Sequence, residues 1–275
     1  MDESFGRRLR DRLGKHGPLC AGLEPAPALL SAWGLDDSPA GLERFSRTVI
    51  DAVGDVAAVV KPHAAYYERW GSRGLAVLER AVAGLRECGA LVVLDAGRGG
   101  AGGAMAAYAE AYLDRGSPLA ADAVTLIPYP GFASLAGAIT SAVANDAGVF
   151  VLTRTAAPRT AGQVAAGAAA ANAGHVPWGP VGLVLDAGLT ALPTPPAKEQ
   201  AGGLAEALGG LNGPVLAPGL GGPGAAPRDL ARRFAPLRHA LLPCVSAPVL
   251  ADPRLLRPRF LRLRDECASL FAVSH

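Results

Sequence analysis

The segment Ala57–Gly100, AAVVKPHAAYYERWGSRGLAVLERAVAGLRECGALVVLDAGRGG, decides the fold. An apolar run of strand length, Val56–Val60, ends at Lys61. A stretch of helical period follows: Gly74–Cys88 puts Leu75, Leu78, Val82 and Leu85 on one face. A further apolar run, Ala90–Leu94, ends at Asp95 and runs into the glycine-rich Gly97–Gly103. Both runs are uniformly apolar rather than alternating, as expected of parallel strands covered on both faces.

The same unit recurs outward in both directions. Upstream lie the run Leu19–Leu23 and the helical stretch Gly41–Val53, with Leu42, Phe45, Val49 and Val53 on one face. Downstream lie the runs Ala123–Ile127, Gly148–Leu152, Val181–Leu185, Pro214–Ala217 and His239–Val245, the last interrupted by Pro243. Met105–Leu113 and Arg228–Phe234 are shorter helical stretches. Strand then helix, about eight times over, predicts a single-domain (β/α)8 barrel spanning residues 1–275, with a doubly wound open sheet as the alternative. The Pro- and Thr-containing stretch Ala191–Gln200 reads as the most flexible interior loop, too short to separate domains.

Composition narrows the functional classes. Half of the 275 residues are hydrophobic, 18% are charged and the net charge is +2. So even a balance gives no reason to expect nucleic acid or a membrane surface as partner. Arg254–Arg264 is followed by Asp265 and Glu266 and reads as the solvated face of a last helix. The four cysteines, Cys20, Cys88, Cys244 and Cys267, form no CxxC pair and have no histidine at ligand spacing. They read as buried free thiols, with no metal site. The N-terminal residues alternate charges without an apolar core, and no apolar stretch is long enough to span a bilayer, so a soluble cytoplasmic protein is expected.

In a barrel of this kind, functional side chains stand where strands end. The polar residues there are Glu24, Lys61, Asp95, Thr153 with Arg154, Asp186 and Ser246, and a second glycine-rich turn follows the seventh run at Gly219–Gly224.

Five segments carry a resemblance to bacterial orotidine 5′-phosphate decarboxylases: GPLCAGLEPAPALLSAWGL (17–35), AAVVKPHAAYYERWGSRGLAVLE (57–79), GALVVLDAGRGGAGGAMAAYA (89–109), DAVTLIPYPGFASL (122–135) and VLAPGLGGPGA (215–225). The resemblance implies a barrel that dimerises, works without a cofactor and takes a nucleotide- or nucleoside-like small molecule. The family's chemistry leaves a carbanion that must be stabilised electrostatically and then protonated. It uses one lysine after the second strand and D-x-K-x-x-D after the third; the last aspartate reaches the neighbouring subunit's site.

This chain departs from that pattern. Lys61 and Asp95 match the first lysine and first aspartate, but the central lysine and second aspartate positions are Gly97 and Gly100. Glu24 stands where the family has a ribose-binding aspartate. Pro223 stands at a phosphate-contacting glutamine, and Ser246, Ala247 and Pro248 replace Ser-Arg-Gly, whose arginine grips the phosphate. Backbone N–H groups at Gly219, Gly221 and Gly222 are what remains for an anion.

Arg98 is a poor substitute for the lysine. It leaves the strand in a different direction from Gly97, its pKa is too high for a useful acid, and the family has an arginine beside its lysine. Losing a general acid costs about 10²–10⁴ in rate. The sequence therefore predicts a degenerate paralogue without normal decarboxylation. The alternatives are an enzyme repurposed to a nucleoside-like ligand, and an active decarboxylase using another group. Lys61 and Asp95 could equally form a structural ion pair; His63, Tyr66 and Tyr67 are read as packing or surface residues.

Overall fold

The computed structural model describes residues 4–100, 102–153, 158–185 and 204–271. Arg154, Asp186 and the Ala191–Gln200 loop lie outside the described residues. Eight parallel strands close into a barrel in sequence order. They are β1 (Cys20–Leu23), β2 (Val59–Pro62), β3 (Leu91–Arg98), β4 (Ala123–Leu126), β5 (Gly148–Leu152), β6 (Val181–Val184), β7 (Val215–Pro218) and β8 (Leu241–Val245). The open-sheet alternative is excluded by the β1–β8 seam, where Cys20 pairs with Cys244 and Ala21 with Val245.

The helices that matter to the site are α1 (Phe5–His16), α2 (Pro27–Ala32), α3 (Pro39–Val53), α4 (Ala65–Glu68), α5 (Gly71–Glu87) and α6 (Gly103–Leu113). The apolar stripes foreseen on α3 and α5 are buried at Leu42, Phe45, Val49 and Val53 on one and at Leu78, Val82 and Leu85 on the other, where Leu75 is only half-buried. They pack on the outward strand residues such as Val60, Val92 and Leu94 in one continuous core.

A second buried cluster fills the lumen. It joins Cys20, Val59, Val93, Ala123, Phe150, Leu216, Leu242 and Cys244 to Phe5, Leu9 and Leu13 of α1. The N-terminal helix therefore stops the barrel's lower end, with Phe5 edge-on to Phe150 at 6.2 Å. Arg8 fastens it: the guanidinium donates to Asp122 and, at 2.9 Å, to the Asp146 carbonyl, while the other Asp122 oxygen accepts from Val92 N–H at 2.8 Å.

Several strand bounds differ from the sequence reading, for local reasons. Val56–Ala58 precede β2 because Val56 N–H and Ala57 N–H bond back to Val53 and close α3. β3 continues past its apolar part to Arg98, held by Arg98 pairing with Leu126 across a register shift and by Ile127 N–H to Arg98 C=O at 2.7 Å. His239 belongs to a 3-10 turn, Ala235–Ala240, and Pro243 lies within β8 opposite Ala217. Of the cysteines, Cys88 is exposed rather than buried, because it follows the last turn of α5. The arginines of the last helix do face outward in part, with Arg257 paired to Asp55. Among the described residues no helix is long and apolar enough to cross a membrane.

Candidate ligand site at the barrel mouth

Strand alternation decides what meets the lumen. Two residues above the lumen layer of Cys20, Val59, Val93, Ala123 and Cys244 come Gly22, Lys61, Asp95, Thr125 and Ser246, with Glu24 and Gly97 two residues higher still. Packing confirms this for every member that has a side chain, because they form one connected polar network.

Lys61 is its centre. The ammonium is almost fully enclosed, with 3% of the side chain exposed, whereas Asp95 keeps 26% and Glu24 25%. Lys61 Nζ donates to Asp95 Oδ2 and lies 3.6 Å from Glu24 Oε1. Ser246 Oγ donates to Glu24 Oε1 at 2.8 Å. Thr125 Oγ1 donates to Asp95 Oδ1 at 2.8 Å and accepts from Gly97 N–H at 2.9 Å. The path from β8 to β3 is thus Ser246, Glu24, Lys61, Asp95, Thr125, Gly97. Gly22 makes it possible: a Cβ there would lie 2.0 Å from Ser246 Oγ.

The charges follow from this enclosure. Burial pushes the Lys61 pKa down, but Cys244, Asp95 and Glu24 push it up further, so it is held above the usual lysine value. Burial raises Asp95, yet the charge and hydrogen bond of Lys61, then His63 and Thr125, hold it below the usual carboxylate range. Lys61 is therefore a firmly charged, well-compensated cation and a poor proton donor near neutrality.

The remaining candidates are placed as follows. Gly97 has φ +54°, and a Cβ built on it meets nothing within 4 Å. Gly100 would bring a Cβ to 3.6 Å from Ala104. Arg98 turns away from the mouth: it pairs with Glu68 of α4, bonds Tyr112 Oη at 3.4 Å and lies 5.7 Å from the Tyr108 ring. Its guanidinium is thus committed away from the position that Gly97 occupies. Gly219, Gly221 and Gly222 are exposed, but two of the three expected anion donors are spent inside their own turn. Gly221 N–H goes to Ala225 C=O at 2.9 Å and Gly222 N–H to Gly219 C=O at 3.1 Å. Thr153 is buried, with its hydroxyl on the Val184 carbonyl at 2.8 Å. Tyr67 is buried with its hydroxyl 2.8 Å from Ser46.

Thr125 was not foreseen. A single hydroxyl inside the run Ala123–Ile127 looks like strand interior; only lumen parity across from Asp95 marks it. His63 was read as a packing or surface residue. It pairs with Asp95 through a parallel bridge, and its Nδ1 is a buried atom without a partner among the described residues. No group of three or more His, Cys, Asp or Glu is placed to hold a metal ion among the described residues.

Fold and site together define a (β/α)8 barrel with a charged constellation at the C-terminal ends of its strands, the place where such barrels bind ligands. The family model for orotidine 5′-phosphate decarboxylase / HUMPS matches residues 19–174. Orotidine 5′-phosphate decarboxylases of Streptomyces coelicolor and Salinispora tropica are 46% and 47% identical over 262 residues, with 90% of each chain covered. A solved structure from Streptomyces avermitilis, described as an orotidine 5′-phosphate decarboxylase, superposes with a TM-score of 0.88 at 43% identity, covering 98% of this chain and 97% of that one. Leishmania donovani OMP decarboxylase shares the fold, with a TM-score of 0.71 at 24% identity over 98% of this chain and 99% of its own. The chain belongs to the orotidine 5′-phosphate decarboxylase / HUMPS family, and through it is related to pyrimidine biosynthesis.

Proposed function

We propose that this chain is a non-decarboxylating member of its family, which keeps the barrel mouth as a binding site for a nucleotide- or nucleoside-like small molecule. One observation carries the reading. At the end of β3, where decarboxylation calls for a cation and an acid beside the developing carbanion, there are Gly97 and Gly100, and Arg98 is committed to Glu68. Lys61 does not fill the gap, because it is enclosed by Asp95 and Glu24 with its pKa raised. The absent charge alone is worth up to about 4 kcal/mol at 4 Å and an effective dielectric near 20.

A second reading has its own support. Identity of 46–47% to proteins named decarboxylases, over nearly the whole chain, favours an active carboxy-lyase that forms UMP with another group. Turnover of orotidine 5′-monophosphate decides between the two, using protein from a host that lacks its own decarboxylase. Under our reading the rate stays at the blank and the gene does not restore growth without uridine. Robust turnover or full complementation establishes the second reading.

We also propose a cytoplasmic homodimer whose sites are not shared between subunits. Gly100 offers no carboxylate to a neighbour, and Tyr129, 82% exposed, gives the face beside β4 an aromatic contact residue. Light scattering on the eluting protein tests the dimer.

A further inference from the structure

We infer that the mouth selects a hydrogen-bond-donating ligand, uncharged or cationic and rich in hydroxyls, and discriminates against a phosphorylated one. This rests on the binding reading above and narrows it to a ligand class.

The argument is an account of donors and acceptors. Every side-chain donor that the described network brings to the mouth is already engaged within the protein. Lys61 serves Asp95 and Glu24, Ser246 serves Glu24, Thr125 serves Asp95, and Thr153 serves the Val184 carbonyl. The guanidinium next in the chain, Arg98, serves Glu68. In the glycine turn after β7, the Gly221 and Gly222 N–H groups serve their own turn, and Pro248 packs where a Cβ on Gly221 would lie 2.5 Å from its ring.

The carboxylates are the less covered members. Asp95 and Glu24 each keep about a quarter of the side chain exposed, while the cation between them is covered. The Ser246 hydrogen bond and the Lys61 contact both fall on the same oxygen of Glu24, Oε1. The network of Glu24, Lys61 and Asp95 carries two negative charges and one positive, with the positive one inside. A ligand entering here meets carboxylate oxygens, so it gains by donating. A phosphate dianion finds no uncommitted side-chain donor in the described network and faces like charge at short range.

The test is calorimetric titration of the full chain with uridine and with uridine 5′-monophosphate, a pair differing only in the phosphate. Uridine binds at least about tenfold more tightly. Raising the salt concentration strengthens the nucleotide and leaves the nucleoside unchanged, because screening weakens repulsion. In Glu24→Gln, which keeps the shape and removes one charge, the discrimination narrows. Circular dichroism of that variant verifies its fold. Equal or tighter binding of the nucleotide overturns the inference, as does the absence of binding by both. Decarboxylase turnover is scored separately. Tight nucleotide binding without turnover sinks the selectivity and leaves the non-decarboxylating reading intact, whereas turnover sinks that reading itself.

Discussion

Thr125 stands between two strands' worth of chemistry: its hydroxyl gives its proton to Asp95 at 2.8 Å and takes the Gly97 N–H at 2.9 Å. One neutral side chain on β4 therefore fixes both the carboxylate and the backbone turn at the end of β3. Thr125→Val keeps the shape and removes both bonds. It should destabilise the fold by about 1–2 kcal/mol, since it leaves a partly buried N–H and a partly buried carboxylate oxygen short of a partner. Urea denaturation measures this, with the slope of the transition unchanged.

Lys61 is the group whose loss costs most. Lys61→Met removes the one cation between two carboxylates. Breaking a fully buried pair costs 3–5 kcal/mol; with Asp95 and Glu24 partly exposed, the expectation is about 2–3 kcal/mol. Adding Asp95→Asn to Lys61→Met should recover part of that loss, a coupling that a double-mutant cycle reads directly.

The pH dependence has a definite sign. Asp95 is depressed in the folded protein, so its contribution is complete above the unfolded value of about 3.9 and disappears as pH falls through the folded value. Lys61 is raised, so its contribution is complete below about 10.4 and disappears only as pH climbs through the still higher folded value. The stability gap between the parent and Asp95→Asn should hold steady from pH 8 to 5 and shrink below about pH 4. A gap that grows on acidification contradicts the assignment.

Gly97 has both a conformational and a chemical test. At φ +54° any other residue is strained, so Gly97→Ala should cost about 1–2 kcal/mol although its methyl group meets nothing within 4 Å. The pair Gly97→Lys and Gly100→Asp should bear a similar strain and yet gain decarboxylation of orotidine 5′-monophosphate at millimolar substrate. The expected rise over the parent is at least about 10²-fold, the lower end of what a general acid supplies.

Arg8 tests the lower end of the barrel. Its charged hydrogen bond to Asp122, together with that carboxylate's bond to Val92 N–H, suggests a loss of about 1.5–3 kcal/mol for Arg8→Ala. Amide exchange should quicken in α1 and at Val92 before it does in α5.

Much of this was readable in the sequence, and the reasons are physical. Uniform apolar runs mark strands covered on both faces, so the barrel and the strand ends at Glu24, Lys61 and Asp95 were visible. Beyond Leu94, pairing with β4 takes over from hydrophobicity as the cause of extended structure, and the extension of β3 to Arg98 was hidden. Thr125 was hidden because its role depends on which face of the strand it occupies, and one apolar run does not tell the faces apart. The glycines of Gly219–Gly224 advertise free N–H groups by type, but Gly221 and Gly222 spend theirs within the turn, which depends on how the turn closes and not on residue type. The mouth itself was legible in part: two carboxylates and a lysine could be named, but not that the lysine would be the covered member.

The packed lumen makes the barrel a cup, with α1 set against its base. Phe5, Leu9 and Leu13 form its floor against Phe150, beneath the layer that carries Lys61 and Asp95. Whatever enters must leave by the same rim, so entry of one molecule and departure of another cannot overlap. A tightly held occupant would therefore have to depart before the next could bind.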